Sequence, residues 1–460
     1  MDKLTVHIKE ASEKFLSSLE NDVFIKIITH LDTDGISSAA IFSKMLYRLD
    51  QKFSLTIVKQ LEKDVIDNII NEVNANSAKS FVVFLDLGSG SLSQIKNINS
   101  NVLIIDHHYL EENYEELGEN IIFINQRIYS EEQISASGLT YLFAKAVDDR
   151  NKDLSDLSIL GLVGDLLDKE INKIKYNILK DATNSNTIIK KGLPLFASNR
   201  PIHKSLELSS TVYIPGVTGS SEGALDLLKE AGIDIKYNNK FKTILDLTKE
   251  ELSRLITAII LRRADKKDSE DIISNIFLIK FFGKQEDARE LSSLINACGR
   301  LGYGAIAVAF CLGDKKAMVK AEKIYNSYRY KIVKSLNWVN NNEKFEGDGY
   351  VIINAKEEIP DTIIGTITSI IASSFVYPTG TIIVGLAYRE DGKIKVSSRV
   401  SGNVKKINLK EFLSEIAIMV DAEVGGHDNA AGCLVNPDKE GLFLELLEKE
   451  LKLYGMTIKI

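Results

Sequence analysis

The sequence predicts an α/β protein in which a parallel sheet with crossover helices comes first, a mainly helical insertion follows, and a smaller α/β unit closes the chain. Three observations predict it. Residues 1–171 alternate short apolar runs with stretches of helical periodicity, as a parallel sheet and its crossovers require. Residues 172–313 carry mostly helical spacing, broken by Pro194, Pro201, Pro215 and the glycine-bearing stretch 216–223. After a charged segment at 314–342, read as a connector helix, residues 343–460 return to the alternating pattern. A chain of 460 residues also exceeds one ordinary core, so two or three domains are expected.

Taken in order, strands are expected at 23–29, 53–59, 81–85, 102–105 and 121–124, most of them followed by a helical stretch. In a doubly wound sheet of this kind, ligands bind beyond the carboxyl ends of the strands. Within the insertion, 248–264 reads as a surface helix and 291–312 as a buried, glycine-punctuated passage. The last unit has strand candidates at 350–354, 381–388 and 393–399. Segment 362–377 is the most apolar, but it contains six Ser or Thr residues and stops at Pro378, which argues against a membrane span. Its Ile363, Ile367, Ile370 and Ile371 share one helical face, so a buried helix is expected.

Composition narrows the class. With 44% hydrophobic and 26% charged residues the chain matches soluble globular proteins, which disfavours disorder and membrane integration. The N-terminus lacks the pattern of a signal peptide, and a cytoplasmic location is expected. Cys298, Cys311 and Cys433 stand far apart, so neither a disulfide framework nor a thiolate zinc site is indicated; they read as small buried hydrophobes. A net charge of -7 runs against a broadly basic nucleic-acid face. Acids that hold metal ions contribute to that total, however, and a bound strand senses only the local potential of its groove.

The strand ends carry the chemistry. The first is followed by His30-Leu31-Asp32-Thr33-Asp34-Gly35, the third ends in Asp86, and the fourth ends in Asp106-His107-His108. Asp165, in Gly164-Asp165 after an apolar segment, can close the same ring from a helix or its end. Four of the six histidines fall in these motifs, whereas His7 and His203 have no acidic cluster beside them in sequence. Carboxylates crowded at one sheet edge repel one another unless cations neutralise them. Mixed Asp and His donors suit manganese, with magnesium as the alternative and zinc less suited. Two such ions can activate a water and stabilise charge on a phosphoryl oxygen, so phosphoester hydrolysis is expected.

His30-x-Asp32-x-Asp34-Gly35, Asp86, Asp106-His107-His108 and Gly164-Asp165 resemble, in order and spacing, the four motifs of the DHH phosphoesterase superfamily. Near the C-terminus, Gly425-Gly426-His427-Asp428-Asn429-Ala430-Ala431-Gly432 resembles the signature of the DHH-associated second domain. The resemblance implies a DHH catalytic domain at 1–171, its helical extension at 172–313, and a DHH-associated substrate-binding domain at 343–460. It also implies that His30, Asp32 and a bridging Asp86 hold one metal, and that Asp34, Asp86, His107 and Asp165 hold the other. His108 would face the phosphate, with Asp106 orienting a neighbouring ligand. From chemistry alone the set is defensible but its partition is not.

In the second domain, Gly425 and Gly426 would let backbone N–H groups approach a substrate phosphate, and His427 would add a side-chain donor. Arg399 matches the arginine that the family directs at that phosphate, where a guanidinium binds two oxygens at once. Lys393, Lys395, Lys405, Lys406 and Lys410 read either as a track for a nucleic-acid backbone or as a solvated face. Residues 291–314, with Pro215-Gly216 and Ser220-Ser221-Glu222-Gly223-Ala224, resemble the archaeal RecJ-like nucleases, some of which associate with the GINS complex. The implied activity is a RecJ-like exonuclease on single-stranded DNA or RNA in DNA replication or repair. The alternatives are a phosphodiesterase of oligonucleotides or cyclic dinucleotides, and a replisome scaffold bound to GINS. A motor ATPase is disfavoured, since there is no phosphate-binding Gly-x-x-x-x-Gly-Lys loop, and Gly299, Gly302 and Gly304 read as packing or turn positions. Tyr325, Tyr328 and Tyr330 have the spacing of helix packing rather than of base stacking.

Overall fold

The structure, a computed structural model, describes residues 3–19, 23–75, 80–110, 113–185, 187–195, 200–209, 212, 214–263, 273–374, 376–402, 407–422 and 424–457. The backbone divides into two compact units: Met1–Ile202 with Ala231–Ile260 and Ala264–Tyr325, and His203–Glu230 with Leu261–Arg263 and Asn326–Ile460.

The first unit begins with α1 (Lys3–Ser18) and then builds a five-stranded parallel sheet. Its elements are β1 (Phe24–His30), α2 (Thr33–Arg48), β2 (Phe53–Val58), α3 (Lys63–Ala75), β3 (Ser80–Leu85), α4 (Leu92–Ile95), β4 (Asn101–Ile105) and β5 (Ile121–Ile124). The strand order is β2-β1-β3-β4-β5. Ile25 pairs with Phe53 on one side and Phe81 on the other, so β1 is central, and its Ile25, Ile27 and Ile28 are buried. The chain leaves β1 to one side for β2 and returns on the other side as β3. The order therefore reverses between β1 and β3, and a doubly wound sheet opens its ligand crevice at the carboxyl ends of those strands. α5 (Ala136–Val147) and α6 (Ser155–Gly164) pack with α1 and α2, where Phe15 meets Phe42, Phe81 and Phe143 edge to face at 5.2–5.8 Å.

Beyond α7 (Lys173–Asn184) and β6 (Ile188–Gly192) the inserted region carries α8 (Ile202–Glu207), α9 (Ser221–Glu230), a two-residue hairpin of β7 (Lys236–Tyr237) and β8 (Lys240–Phe241), and α10 (Lys249–Arg263). It continues through β9 (Ser274–Phe281), β10 (Lys284–Asp287), α11 (Ala288–Arg300) and α12 (Gly304–Cys311). The region is mainly helical as expected, but it also holds a three-stranded antiparallel sheet, β10-β9-β6, that periodicity does not reveal. β6 is one reason, because only Gly192 of its five residues is buried and no alternation shows. The β9–β10 turn is the other, with Phe282 and Gly283 both at positive φ between two strands of unlike composition.

α13 (Lys315–Asn341) is a long helix over the residues where the sequence predicts one. Tyr325 and Tyr328 are buried along it, and the Tyr328 hydroxyl lies 2.8 Å from that of Thr366, while Tyr330 is exposed. The second unit's six-stranded mixed sheet has the order β11-β12-β13-β14-β16-β15. It is formed by β11 (Phe345–Gly347), β12 (Tyr350–Asn354), α14 (Asp361–Ser373), β13 (Ile382–Tyr388), β14 (Ile394–Val400), α15 (Leu409–Met419), β15 (Val424–His427), β16 (Ala430–Val435) and α16 (Glu440–Thr457). Ile363, Ile364, Ile367 and Ile371 form the buried face of α14, with Ile364 in the place expected of Ile370. Among the described residues no helix is long and apolar enough to cross a membrane. All three cysteines are free and buried.

Candidate metal centre

The first motif turns directly from strand to helix. Asp32 caps α2, its side chain accepting the Gly35 N–H at 3.0 Å, and Asp34 lies in the first turn, where the helix dipole favours a carboxylate. Gly35 is required because a Cβ there would overlap the His30 carbonyl. Asp86 follows β3 with φ at +61°, a left-handed conformation that Asp tolerates better than most side chains. Its N–H still joins the sheet through the Ile105 carbonyl at 2.9 Å. Asp165 ends α6 as its C-cap.

These elements bring His30, Asp32, Asp34, Asp86, His107 and Asp165 into one cluster, with His108 at its edge. His30 Nδ1 is 2.9 Å from Asp32 Oδ2 and 3.4 Å from Asp86 Oδ2. His107 Nε2 is 3.1 Å from Asp165 Oδ2, 3.4 Å from Asp86 Oδ1 and 3.8 Å from Asp34 Oδ2. Among the described residues, three groups have donor atoms within 4.8 Å of one another: His30, Asp32 and Asp86; Asp34, His107 and Asp165; and Asp86, His107 and His108. Asp86 belongs to two of them.

The donors fit divalent cations. Both Asp86 oxygens, His30 Nδ1 and His107 Nε2 are buried without a well-formed hydrogen bond, a costly arrangement unless something else engages them. Burial pushes the Asp34 carboxyl well above the usual range, and the charges of Asp165 and Asp86 add to it. Asp165 is raised by burial and by Asp86 and Asp32. Burial opposes the ionised form of Asp32 too, but His30 and the Gly35 amide hold its carboxyl below the carboxylate range.

Asp106 is placed differently. Its Oδ1 accepts the backbone N–H of His107 at 2.8 Å and lies 2.7 Å from His108 Nδ1, while its Oδ2 accepts the Ser89 N–H at 2.8 Å. With both oxygens engaged, it orients the loop rather than facing the cluster. Burial would lower the His108 imidazole, but the hydrogen bond and charge of Asp106 push it up to about 9.

Several supporting residues carried no signal in the sequence. Asn125 donates to Ser89 Oγ and to the His108 carbonyl, each at 3.0 Å, and Arg127 Nε donates to the His107 carbonyl at 3.0 Å. The Asp34 oxygens accept the N–H groups of Ala136 and Ser137, at 2.6 and 2.9 Å, from the start of α5. α11 braces the first motif: Asn296 accepts the Thr33 N–H at 3.0 Å, and Gly299 lies so close to Leu31 that a Cβ would overlap its carbonyl. The only hint was the resemblance of this passage to the RecJ-like nucleases.

The substrate-side candidates stand in the second unit. Arg399, on β14, donates from Nε to Ser369 Oγ at 2.9 Å and from Nη1 to the Ser398 carbonyl at 2.7 Å. Gly425, Gly426 and His427 lie in β15, paired with Gly432, Ala431 and Ala430 of β16, and a Cβ at Gly426 or Gly432 would overlap the Ala430 or Val396 carbonyl. Arg399 also pairs with Ala430, so the backbone positions of Arg399 and His427 share one row. The His427 side chain, Lys405 and Lys406 lie outside the described residues. Lys395 is committed to the Asp361 carbonyl at 2.8 Å, and Lys393 is exposed.

Residues 24–163 match the family model described as the DHH family, N-terminal domain, and 348–453 match the DHHA1 domain. The whole chain is moreover 32% identical to an uncharacterized protein of Methanocaldococcus jannaschii, over 98% of this chain and 96% of that protein. The chain belongs to the DHH superfamily. A third model, the DHH-CID domain, matches this DHH protein at 196–276. Its fold is that of RecJ from Thermus thermophilus, crystallised with Mn2+, at TM-score 0.61 and 15% identity. The alignment covers 98% of this chain and 55% of that one, so the DHH chain spans about half the length of that RecJ. The same RecJ has also been crystallised with Mg2+. Cdc45 from Entamoeba histolytica is similar at TM-score 0.69 and 14% identity, over 96% of this chain and 99% of that one. Family and cluster together point to a metal-dependent hydrolase of the phosphoesterase type.

Proposed function

We propose that this DHH protein is a two-metal exonuclease specific for single-stranded DNA, RNA or both, acting in DNA replication or repair. The observation that carries the proposal is the cluster of six Asp and His side chains in which both Asp86 oxygens, His30 Nδ1 and His107 Nε2 are buried without a well-formed hydrogen bond. His30, Asp32 and Asp86 would hold one ion, and Asp34, Asp86, His107 and Asp165 the other, with manganese preferred over magnesium. Bound there, the ions would supply Lewis acidity for attack of water on a phosphodiester. His108, held by Asp106, would donate to the phosphate, and Asp106 keeps both histidines of its motif in place. Arg399, Gly425, Gly426 and His427 would bind the substrate phosphate, Arg399 with its guanidinium held by Ser369 and the Ser398 carbonyl.

The test is digestion of single-stranded DNA and RNA, labelled separately at each end, with manganese, magnesium or chelator, beside Asp34→Ala. Metal-dependent stepwise release that falls at least a hundredfold in the variant is the expected result. Failure to cleave long strands with either metal would overturn it, and would direct attention to oligonucleotides or cyclic dinucleotides. The likeness to Cdc45 favours a second reading, a replisome component that binds GINS. Retention of purified GINS on the immobilised protein tests that reading whatever the activity.

A further inference from the structure

Tyr109 follows His108 directly in the chain, so its Cα lies about 3.8 Å from the Cα of a residue at the edge of the cluster. A large aromatic side chain is normally covered, yet this one is 62% exposed. It is not loose. The Arg127 guanidinium lies over one face of the ring, 3.7 Å from its centroid. Arg127 is itself anchored, through the bond from Nε to the His107 carbonyl and through its own N–H, which the Asn125 side chain accepts at 2.9 Å. One face of the ring is thus covered by a half-buried cation, and its exposure leaves the other to solvent. A cation on one face favours one orientation of the ring before any ligand arrives. Proteins that hold single strands without reading sequence use such fixed aromatic faces, because every base offers a π-face of its own.

We propose that the open face of Tyr109, backed by Arg127, is a stacking platform for the base of a nucleotide whose phosphate lies at the metal cluster. The inference rests on the single-strand nuclease reading and adds a base-binding subsite to it. The platform selects nucleotides over phosphoesters without a flat ring, with little preference among bases. Tyr109 touches the base and not the reacting atoms, so its contribution belongs to binding.

The test uses the manganese-loaded protein and a ten-residue thymidine strand, with an equally charged strand of abasic residues as competitor. Tyr109→Ala is expected to raise KM for the thymidine strand roughly tenfold and to change kcat by less than about threefold. Tyr109→Phe is expected to restore the wild-type KM, since it keeps the ring. The inhibition constant of the abasic strand should differ less than about twofold between wild type and Tyr109→Ala. Unchanged KM in Tyr109→Ala overturns the platform alone while the nuclease stands. Equal weakening toward both strands also overturns it, assigning Tyr109 to support of the His107 loop. A wild-type protein that does not cleave the thymidine strand overturns the nuclease reading and the platform with it.

Discussion

Asp34 shows how a single carboxylate is positioned by residues far from it in sequence. One oxygen accepts the N–H of Ala136 and the other that of Ser137, at the positive end of α5. Gly161 of α6 lies so close that an added Cβ would overlap Asp34 Oδ1 and Ser137 Oγ. Gly161→Ala should therefore displace the carboxylate while leaving the sheet intact. The expected outcome is a 10- to 100-fold loss of manganese affinity, on the scale of disturbing a ligand's support, with the circular dichroism spectrum retained. Calorimetric titration of the variant with Mn2+ checks it, and wild-type affinity would show that the carboxylate does not serve a metal. The cluster's six members were legible because each stands at the end of a strand or helix whose apolar run is visible. Gly161 was not, since a glycine needed for close packing looks in sequence like any other helical glycine.

At the scale of elements, α6 carries a conflict that a pH titration can read. Asp156 lies in its first turn and is half-buried, accepting the Thr187 hydroxyl at 2.5 Å. Burial raises its carboxyl to about 6, with the Thr187 hydrogen bond only partly opposing. The folded state thus holds this proton more tightly than the unfolded chain, whose carboxyl titrates near the ordinary 3.8. The sign follows: the site costs nothing below pH 3.8, costs progressively more as the pH rises to about 6, and costs a constant amount above that. Asp156→Asn keeps an acceptor for Thr187 and cannot ionise. It should be more stable than wild type by on the order of 2 kcal/mol at pH 7 and no more stable at pH 4, as urea melts at the two pH values would show. A gain of the same size at both would exclude ionisation as its source.

For the whole molecule, the first unit gathers five aspartates and three histidines at one sheet edge, so its stability should depend on cations more than the second unit's does. A ligand that binds only the folded state at a hundredfold excess over its Kd stabilises by about 2.7 kcal/mol. Calorimetric scans are expected to show Tm rising by several degrees when manganese is added to chelated protein, and Asp34→Ala should lose most of the rise. An unshifted Tm at millimolar manganese would rule out tight metal binding by the folded state.

Periodicity and residue type by themselves determined the five parallel strands to within a residue or two, the long helix after residue 314, three of the four isoleucines on the buried α14 face, and the six residues that the structure gathers into one cluster. Those features follow from local rules, alternation along a strand and 3.6-residue spacing along a helix, together with the tendency of doubly wound sheets to place chemistry at strand ends. Tertiary structure alone decided which groups hold the ligands in place. Asn296 reaches Thr33 across 263 residues and Ser137 reaches Asp34 across 103, and no local pattern encodes such pairs. It also decided the β10-β9-β6 sheet, the pairing of Gly425–His427 as a strand, and the stacking of Arg127 on Tyr109. Each of these depends on which surfaces meet after folding, and that is set by the packing of whole elements rather than by the residues adjacent in the chain.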